Sequence, residues 1–301
     1  MTARISGRTQ LAGIIGWPVE QSLSPAMHNA AYEAMEVDVV YVPLPVPDEA
    51  ALCRVLSAIR TLPFVGFNVT MPYKQAMLGY CDEVAMLAQM AGAVNAVHCV
   101  DGRLIGYNTD GRGLVDSLAS ETGFEIAGST VVLIGAGGAA GSALVSLVLG
   151  KAGRVVVLNR TLGNAEMRAE RVRPHARDTA VEVALLDEGA REIVRSADLV
   201  VNATSLGMRP DDPPPVPVEW LRAGQTVADM VYLPWPTPFV AAARAVGARA
   251  IDGLGMLVAQ GATALEIWCE GAGDRAPRDV MRAAAEAELA GRRVVKSGEV
   301  R

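Results

Sequence analysis

The stretch TVVLIGAGGAAGSA at residues 130–143 constrains the fold more than any other part of this chain. An apolar, β-branched run ends at Gly135, and Gly137 and Gly138 precede a run of small residues. This order predicts a parallel strand, a tight turn and a helix whose first N–H groups bind the pyrophosphate of a dinucleotide. A glycine-rich loop alone could be an ordinary strand-to-helix turn. Because the required strand and helix are indicated on both sides, the pattern favours dinucleotide binding.

The next strand, at residues 154–159, indicates which dinucleotide binds. About twenty residues after the glycine loop, an NAD site would place an acid for the ribose 2′-hydroxyl. This chain has Asn159, Arg160 and Thr161 there instead. A guanidinium pairs with a 2′-phosphate, whereas a carboxylate would repel it. A solvated arginine at a strand end is the alternative, but the missing acid favours NADP.

The composition excludes several classes of protein. With 301 residues the chain can form two domains, and its apolar segments are too short to span a bilayer. The first residues do not show the pattern of a signal peptide, so we expect a cytoplasmic protein. The four cysteines and three histidines show neither a metal-binding nor a disulfide pattern, so we expect no metal. The net charge of −6 argues against a nucleic-acid surface.

Short apolar runs alternate with helical segments along the chain, which predicts an α/β protein. In the first third, strands are expected at 11–16, 38–46, 64–69, 93–100 and 103–108. Asp101-Gly102 predicts a hairpin between the last two strands. We expect Ser24 to cap the first helix and another helix to begin near Asp110. The last residues, from Arg292 onward, are expected to form a loose charged tail.

Three polar clusters lie at predicted strand ends or helix starts: residues 22–25 with Ser22 and Ser24, residues 66–74, and residues 106–111 with Asn95. Each has an ordinary structural interpretation. The serines could cap a helix, the lysine of the second cluster could be solvated, and the third cluster could be an Asx-type cap. Composition alone does not decide between these roles and ligand binding.

Together with the glycine loop, these clusters resemble the shikimate dehydrogenase family over nearly the whole chain. The matching motifs are G-x-P-x-x-x-S-L-S-P-x-x-H-N at 16–29, N-V-T-x-P-x-K at 68–74, A-V-N at 93–95, N-T-D-G at 108–111, N-R-T at 159–161, N-A-T-S-L-G-M at 202–208, Y-x-P-x-x-T-P at 232–238 and G-M-L-V-x-Q at 255–260.

The resemblance implies NADP-dependent, reversible oxidation of shikimate to 3-dehydroshikimate. It implies an N-terminal α/β substrate domain (residues 1–111 with 254–301) and a doubly wound, Rossmann-type NADP-binding domain (112–253), with a cleft between them. The expected catalytic pair is Lys74 and Asp110. Substrate contacts are expected from Ser22, Ser24, Thr70, Asn95, Asp110, Tyr232 and Gln260. Cofactor contacts are expected from Gly135, Ala136, Gly137, Gly138, Ala139, Asn159, Arg160, Thr161, Thr204, Ser205, Met208, Val231 and Gly253.

The chain departs from the family pattern at four positions. Trp17 and Gln21 replace the residues more usual in the first motif, and Ala96 stands where threonine is common. Asn164 stands where many members carry a second basic residue for the 2′-phosphate.

Oxidation of an alcohol by a nicotinamide cofactor requires a proton-transferring side chain, whatever the family. Removing hydride from a secondary alcohol requires that the hydroxyl proton leave, and Lys74 could accept it and return it in the reverse reaction. Whether Lys74 or Asp110 holds that proton is left open. Two alternatives also stay open: a quinate dehydrogenase, and a regulatory NADP-binding paralogue without turnover. We expect a monomer or homodimer that acts on a small molecule.

Overall fold

The computed structural model describes residues 5–209, 211–269 and 276–298, and the chain divides into two compact units. Unit 1 comprises Met1–Ala88, Val94–Thr109 and Gln260–Arg301, and unit 2 comprises Gln89–Ala93 and Asp110–Ala259. These bounds differ from the expected domains at residues 89–93, 110–111 and 254–259. The difference has a physical basis, because Met90, Ala91 and Met256 are buried in a hydrophobic cluster of unit 2.

The helices of the described residues are α1 (Ser24–Ala34), α2 (Glu49–Ile59), α3 (Met86–Ala91), α4 (Asp110–Thr122), α5 (Gly138–Leu149), α6 (Leu162–Val172), α7 (Arg191–Ser196), α8 (Pro238–Ala245), α9 (Gly253–Trp268) and α10 (Arg278–Gly298). The helix predicted near Asp110 is confirmed. The charged tail predicted from Arg292 is wrong as far as Gly298, because α10 continues to that residue and the Arg292 side chain is bonded, as described below. Residues 299–301 lie outside the described residues.

The strands of unit 1 are β1 (Gln10–Gly16), β2 (Val39–Pro45), β3 (Phe64–Val69), β4 (Glu83–Val84), β5 (Ala96–Val100) and β6 (Arg103–Tyr107). They form one sheet in the order β2-β1-β3-β5-β6-β4. Strands β1, β2 and β3 are parallel, and β5 runs antiparallel to β3 and β6. The predicted hairpin is confirmed: Asp101 and Gly102 have φ values of 49° and 75°, as a type I′ turn requires.

The strands of unit 2 are β7 (Thr130–Ile134), β8 (Arg154–Asn159), β9 (Ala180–Leu185), β10 (Leu199–Asn202), β11 (Thr226–Asp229) and β12 (Arg249–Ile251). All are parallel, in the order β12-β11-β10-β7-β8-β9, which is the predicted doubly wound sheet. Successive residues of β7 enter hydrophobic clusters on opposite faces, Val131 and Leu133 on one and Val132 and Ile134 on the other. The strand order reverses between β7 and β10, where such sheets bind ligands.

Candidate functional site

The glycine loop joins β7 to α5 at this reversal. Gly135 has a φ of 109°, and a Cβ there would lie 2.9 Å from Cγ2 of Thr204 and 3.1 Å from the carbonyl oxygen of Ala203. Glycine is therefore required. Beside Gly137, which precedes α5, a Cβ would meet no atom within 4 Å. Open space thus adjoins the first turn of α5, whose N–H groups lack intrahelical acceptors, and an anionic group fits there.

A buried carboxylate organises the loops that follow β10 and β11. Asp229 accepts hydrogen bonds from Nδ2 of Asn202 (2.8 Å), Oγ1 of Thr237 (2.7 Å) and the N–H of Val231 (3.1 Å). Oδ1 of Asn202 accepts hydrogen bonds from the N–H and the hydroxyl of Thr204, at 3.0 and 2.7 Å. Burial raises the pKa of Asp229, and these bonds oppose that rise. The network fixes Thr204 and Val231, two of the expected cofactor contacts.

Gly253 begins α9 close to the same loop. A Cβ on Gly253 would lie 2.4 Å from the carbonyl oxygen of Met230, and its N–H donates to the carbonyl of Val231 at 3.0 Å. A larger residue would push these backbones apart. Ser205 and Met208, the remaining expected contacts of this region, are exposed.

The end of β8 carries the residues that point to NADP. Nδ2 of Asn159 donates to the carbonyl of Thr161 at 2.9 Å, which closes the turn before α6. Arg160 and Asn164 are exposed, and residues 159–165 contain no acid. The only charge that this turn offers to a ribose substituent is therefore the Arg160 guanidinium.

Asp110 is the first residue of α4, in unit 2, and is 4% exposed. Its carboxylate lies at the positive end of that helix, where a negative charge is favoured. A Cβ on the following residue, Gly111, would lie 2.2 Å from Oγ of Ser146 and 2.3 Å from the carbonyl of Ser142. The start of α4 is therefore held tightly against α5.

In unit 1, the ends of β1 and β3 bring two of the polar motifs together. The N–H of Thr70 donates to the carbonyl of Ile15 at 2.8 Å, and the N–H of Trp17 donates to that of Met71 at 2.9 Å. A Cβ on Gly16 would lie 2.3 Å from Cγ2 of Thr70, so this approach requires glycine. Lys74 follows in a turn and is half-buried.

Asn95 is the centre of a buried polar cluster in unit 1. Its Oδ1 accepts from the N–H of Thr109 at 2.7 Å, and its Nδ2 donates to Oγ1 of Thr109 at 2.9 Å and Oε1 of Gln260 at 3.0 Å. Its carbonyl accepts from Nδ2 of Asn68 at 3.1 Å, and Asn68 in turn accepts from the hydroxyl of Tyr41. Asn95 and Gln260, 165 residues apart in the chain, are thus brought into contact.

The serine motif differs from expectation at the helix start. The sequence predicts that Ser24 caps α1, but Ser24 is the first residue of the helix, and its N–H donates to Oγ of Ser22 at 3.2 Å. The Ser22 hydroxyl therefore provides an acceptor for the Ser24 N–H, while the buried Ser24 hydroxyl forms a hydrogen bond with Tyr41. Arg292 on α10 donates from Nη1 to the carbonyl of Gln21 at 2.8 Å and from Nη2 to that of Ser22 at 3.3 Å.

The expected substrate and catalytic residues are divided between the units. Those in unit 1 are Ser22, Ser24, Thr70, Lys74, Asn95 and Gln260. Asp110, Tyr232 and all the expected cofactor contacts belong to unit 2.

Sequence reasoning missed several residues that organise the site. Asn202 and Thr237 lie within the family motifs, and Asp229 stands at a predicted strand end, but no pattern indicates that they bond one another. Arg292 carries no signal at all, because its charged surroundings are typical of a tail.

Among the described residues, no group of three or more histidines, cysteines and acids is placed to hold a metal ion. No helix in the described ranges is long and apolar enough to cross a membrane.

Comparison with known proteins identifies the family. Residues 14–97 match the model of the shikimate dehydrogenase substrate binding domain, and residues 117–208 match that of shikimate/quinate 5-dehydrogenase. The chain is 45% identical over 290 residues to the shikimate dehydrogenase (NADP(+)) of Geobacter sp. strain M21, covering 95% of this chain and 98% of that protein. The chain belongs to the shikimate dehydrogenase family. The predicted family and the oxidoreductase class are therefore confirmed.

Solved structures of this family agree with the fold. A shikimate dehydrogenase in complex with NADP+ is 37% identical, with a TM-score of 0.87 over 95% of this chain and 98% of that one. The enzyme of Thermus thermophilus, in complex with NADP(H) and shikimate, is 35% identical, with a TM-score of 0.81 over 93% and 99% of the two chains. The predicted α/β fold class is confirmed.

Proposed function

We propose that this protein catalyses the NADP-dependent, reversible oxidation of shikimate to 3-dehydroshikimate. The observation that carries the proposal is the buried cluster of Asn95, Thr109 and Gln260, whose polar side chains are fixed by one another in unit 1. A rigid set of amides and hydroxyls suits a polyhydroxylated ring, because unmatched buried polar groups penalise the wrong substrate. The relatives named shikimate dehydrogenase (NADP(+)) span almost the whole chain, which supports the same activity.

The substrate is held by residues of three kinds. Ser22 and Ser24 bind the carboxylate through their hydroxyls, and Tyr232 lies near that group. Thr70, Asn95 and Gln260 bind the ring hydroxyls, and Asp110 binds one as an acceptor. The bond from Ser24 N–H to Ser22 Oγ supports this assignment, because it fixes the serine pair at the start of α1.

Lys74 and Asp110 form the catalytic pair. Nζ of Lys74 accepts the hydroxyl proton during oxidation and returns it to the carbonyl oxygen during reduction. Asp110 orients the reacting hydroxyl by accepting a hydrogen bond from the substrate. Its position as the buried first residue of α4 supports this role, because the helix fixes the place of the side chain.

The glycine loop, with Gly135 to Ala139, holds the NADP pyrophosphate, and Asn159, Arg160 and Thr161 hold the ribose 2′-phosphate. Thr204, Ser205, Met208, Val231 and Gly253 complete the cofactor site. The open space beside Gly137 fits a phosphate, and the exposed Arg160 fits a further negative charge. The nicotinamide, when bound, takes the hydride from the substrate carbon.

One assay tests the proposal against its alternatives: initial rates with shikimate and with quinate, each with NADP and with NAD. We expect the highest kcat/KM for shikimate with NADP. A preference for quinate would make the protein a quinate dehydrogenase. Cofactor binding without turnover of either acid would make it a regulatory paralogue.

We also propose that the protein acts in the cytoplasm on a small molecule, as a monomer or homodimer, and that it binds neither nucleic acid nor membranes. The net charge of −6 supports the nucleic-acid statement, because phosphate backbones repel an acidic surface. Sedimentation velocity measures the oligomeric state, and fractionation of cells that express the protein tests its location.

A further inference from the structure

Arg168, on α6, is a buried arginine to which the proposed function gives no role; 6% of its surface is exposed. Its Nε donates to the carbonyl oxygen of Ala136 at 3.0 Å, and its Nη1 donates to that of Ala91 at 3.1 Å. Both acceptors are neutral, and within the described ranges no ion pair joins Arg168 to a carboxylate. A guanidinium stays protonated even where burial lowers its pKa, so the charge persists inside unit 2.

The two acceptors lie at functionally distinct places. Ala136 is inside the glycine loop, between Gly135 and Gly137. Ala91 is the last residue of α3, and the carbonyls of a helix C-terminus lack intrahelical donors. Arg168 therefore ties the loop to the end of α3.

Two glycines make room for this arrangement. Gly92 has a φ of 64°, and a Cβ there would lie 2.5 Å from Nη1 of Arg171 and 2.8 Å from Nη1 of Arg168. A Cβ on Gly141, in α5, would lie 2.3 Å from the carbonyl oxygen of Ala91. The backbone on both sides of the guanidinium is therefore shaped around it.

Burying a cation without an ionic partner is costly, and apolar residues of similar volume often stabilise a protein when they replace buried charges. The retained charge therefore calls for an explanation beyond folding. A positive charge held next to the loop favours an anion on that loop, because fixed charges act strongly where water is excluded.

We propose that Arg168 is a positioning residue for the cofactor pyrophosphate. Its bond to Ala136 fixes the loop so that the N–H groups that follow face the phosphates, and its charge strengthens their attraction. The inference rests on the proposed function, which assigns the pyrophosphate to this loop. Because NADP and NAD share the pyrophosphate, Arg168 contributes equally to both cofactors, unlike Arg160.

The experiment compares Arg168→Gln with wild type by isothermal titration calorimetry. Glutamine is neutral and keeps an amide donor. We expect the Kd values for NADP and for NAD to rise by the same factor, on the order of tenfold. The Kd for shikimate and the NADP-to-NAD ratio should not change. Arg177→Gln, at an exposed position of unit 2, is the matched control and should leave both cofactor Kd values at the wild-type level.

The remaining outcomes overturn the inference. A loss confined to NADP would mean that Arg168 acts on the 2′-phosphate, and unchanged Kd values would mean that it has no role in binding. An equal loss for shikimate would indicate a general structural role. Failure of the wild type itself to bind either cofactor would refute the proposed function instead. If Arg168→Gln does not fold, Arg168→Lys provides the test, because it keeps the charge but cannot span both carbonyls; the same equal, smaller loss is expected.

Discussion

His28 should make the stability of unit 1 depend on pH. Its ring is fully buried, stacked on Tyr41 with ring centroids 4.3 Å apart, and 5.5 Å from the ring of Trp268. Neither ring nitrogen has a hydrogen-bond partner among the described residues. Burial lowers the pKa of His28 from 6.5 to about 3. The folded protein therefore holds a neutral ring at pH values where the unfolded chain binds a proton.

The sign and size of the effect follow from this difference. As pH falls below 6.5 the unfolded state gains a proton that the folded state rejects, so stability is lost down to the folded pKa of about 3. Each pH unit inside this window costs about 1.4 kcal/mol. Between about pH 7.5 and pH 5 the contribution of His28 is therefore a loss of roughly 2 kcal/mol.

The variant His28→Phe isolates this contribution, because phenylalanine keeps the stacked ring and cannot titrate. Urea unfolding of both proteins, followed by tryptophan fluorescence, gives the free energy of unfolding at each pH. The free energy of unfolding of the variant, relative to that of the wild type, should increase by roughly 2 kcal/mol between about pH 7.5 and pH 5. His175→Asn, at an exposed position, is the control and should show no such shift. A difference that is constant across this range would refute the reasoning.

Further predictions concern the proposed site. Arg160→Ala should lower kcat/KM for NADP relative to NAD by roughly thirtyfold, the equivalent of about 2 kcal/mol for a lost charge-assisted bond, and an unchanged ratio would contradict the assignment. Ser22→Ala and Ser24→Ala should each raise the KM for shikimate on the order of tenfold without changing the Kd for NADP; equal losses for both ligands would indicate a folding role. Lys74→Met should lower kcat by about 10²–10⁴ while the shikimate Kd, measured directly, stays close to wild type, and retained turnover would refute the mechanism. Asp110→Asn should lower kcat and also raise the Kd for shikimate.

The elements that sequence predicts best are those with local signals. Gly135 and its neighbours stand between a β-branched run and small residues, and Asp101-Gly102 fixes a hairpin, so each can be recognised from a few consecutive positions. The doubly wound sheet follows from the repeated alternation of such elements. The observed strand order is that of a doubly wound sheet, because parallel strands need helical crossovers of one hand.

The contacts that sequence cannot predict join distant positions. Asn95 and Gln260 are separated by 165 residues, and nothing near either one indicates the other. Buried carboxylates and guanidinium groups such as Asp229 and Arg168 resemble surface residues in composition, and only the fold shows that they bond backbone groups. Ser24 does not cap α1, because the helix begins one residue earlier than the Ser-Pro pattern suggests; Leu23 holds the cap position without a side-chain cap bond, and Oγ of Ser22 accepts the N–H of Ser24.

The bonds from Arg292 to the carbonyls of Gln21 and Ser22 join α10 to residues that lie 271 and 270 positions earlier in the chain. If Ser22 and Ser24 bind the substrate carboxylate as proposed, affinity for the substrate should depend on α10, about 270 residues away in sequence from that serine pair. Deleting the last turns of α10, or attaching a purification tag that unwinds them, should remove the bonds to Gln21 and Ser22 and raise the KM for the substrate. A C-terminal fusion of this protein should accordingly be compared with an N-terminal one before its KM is interpreted.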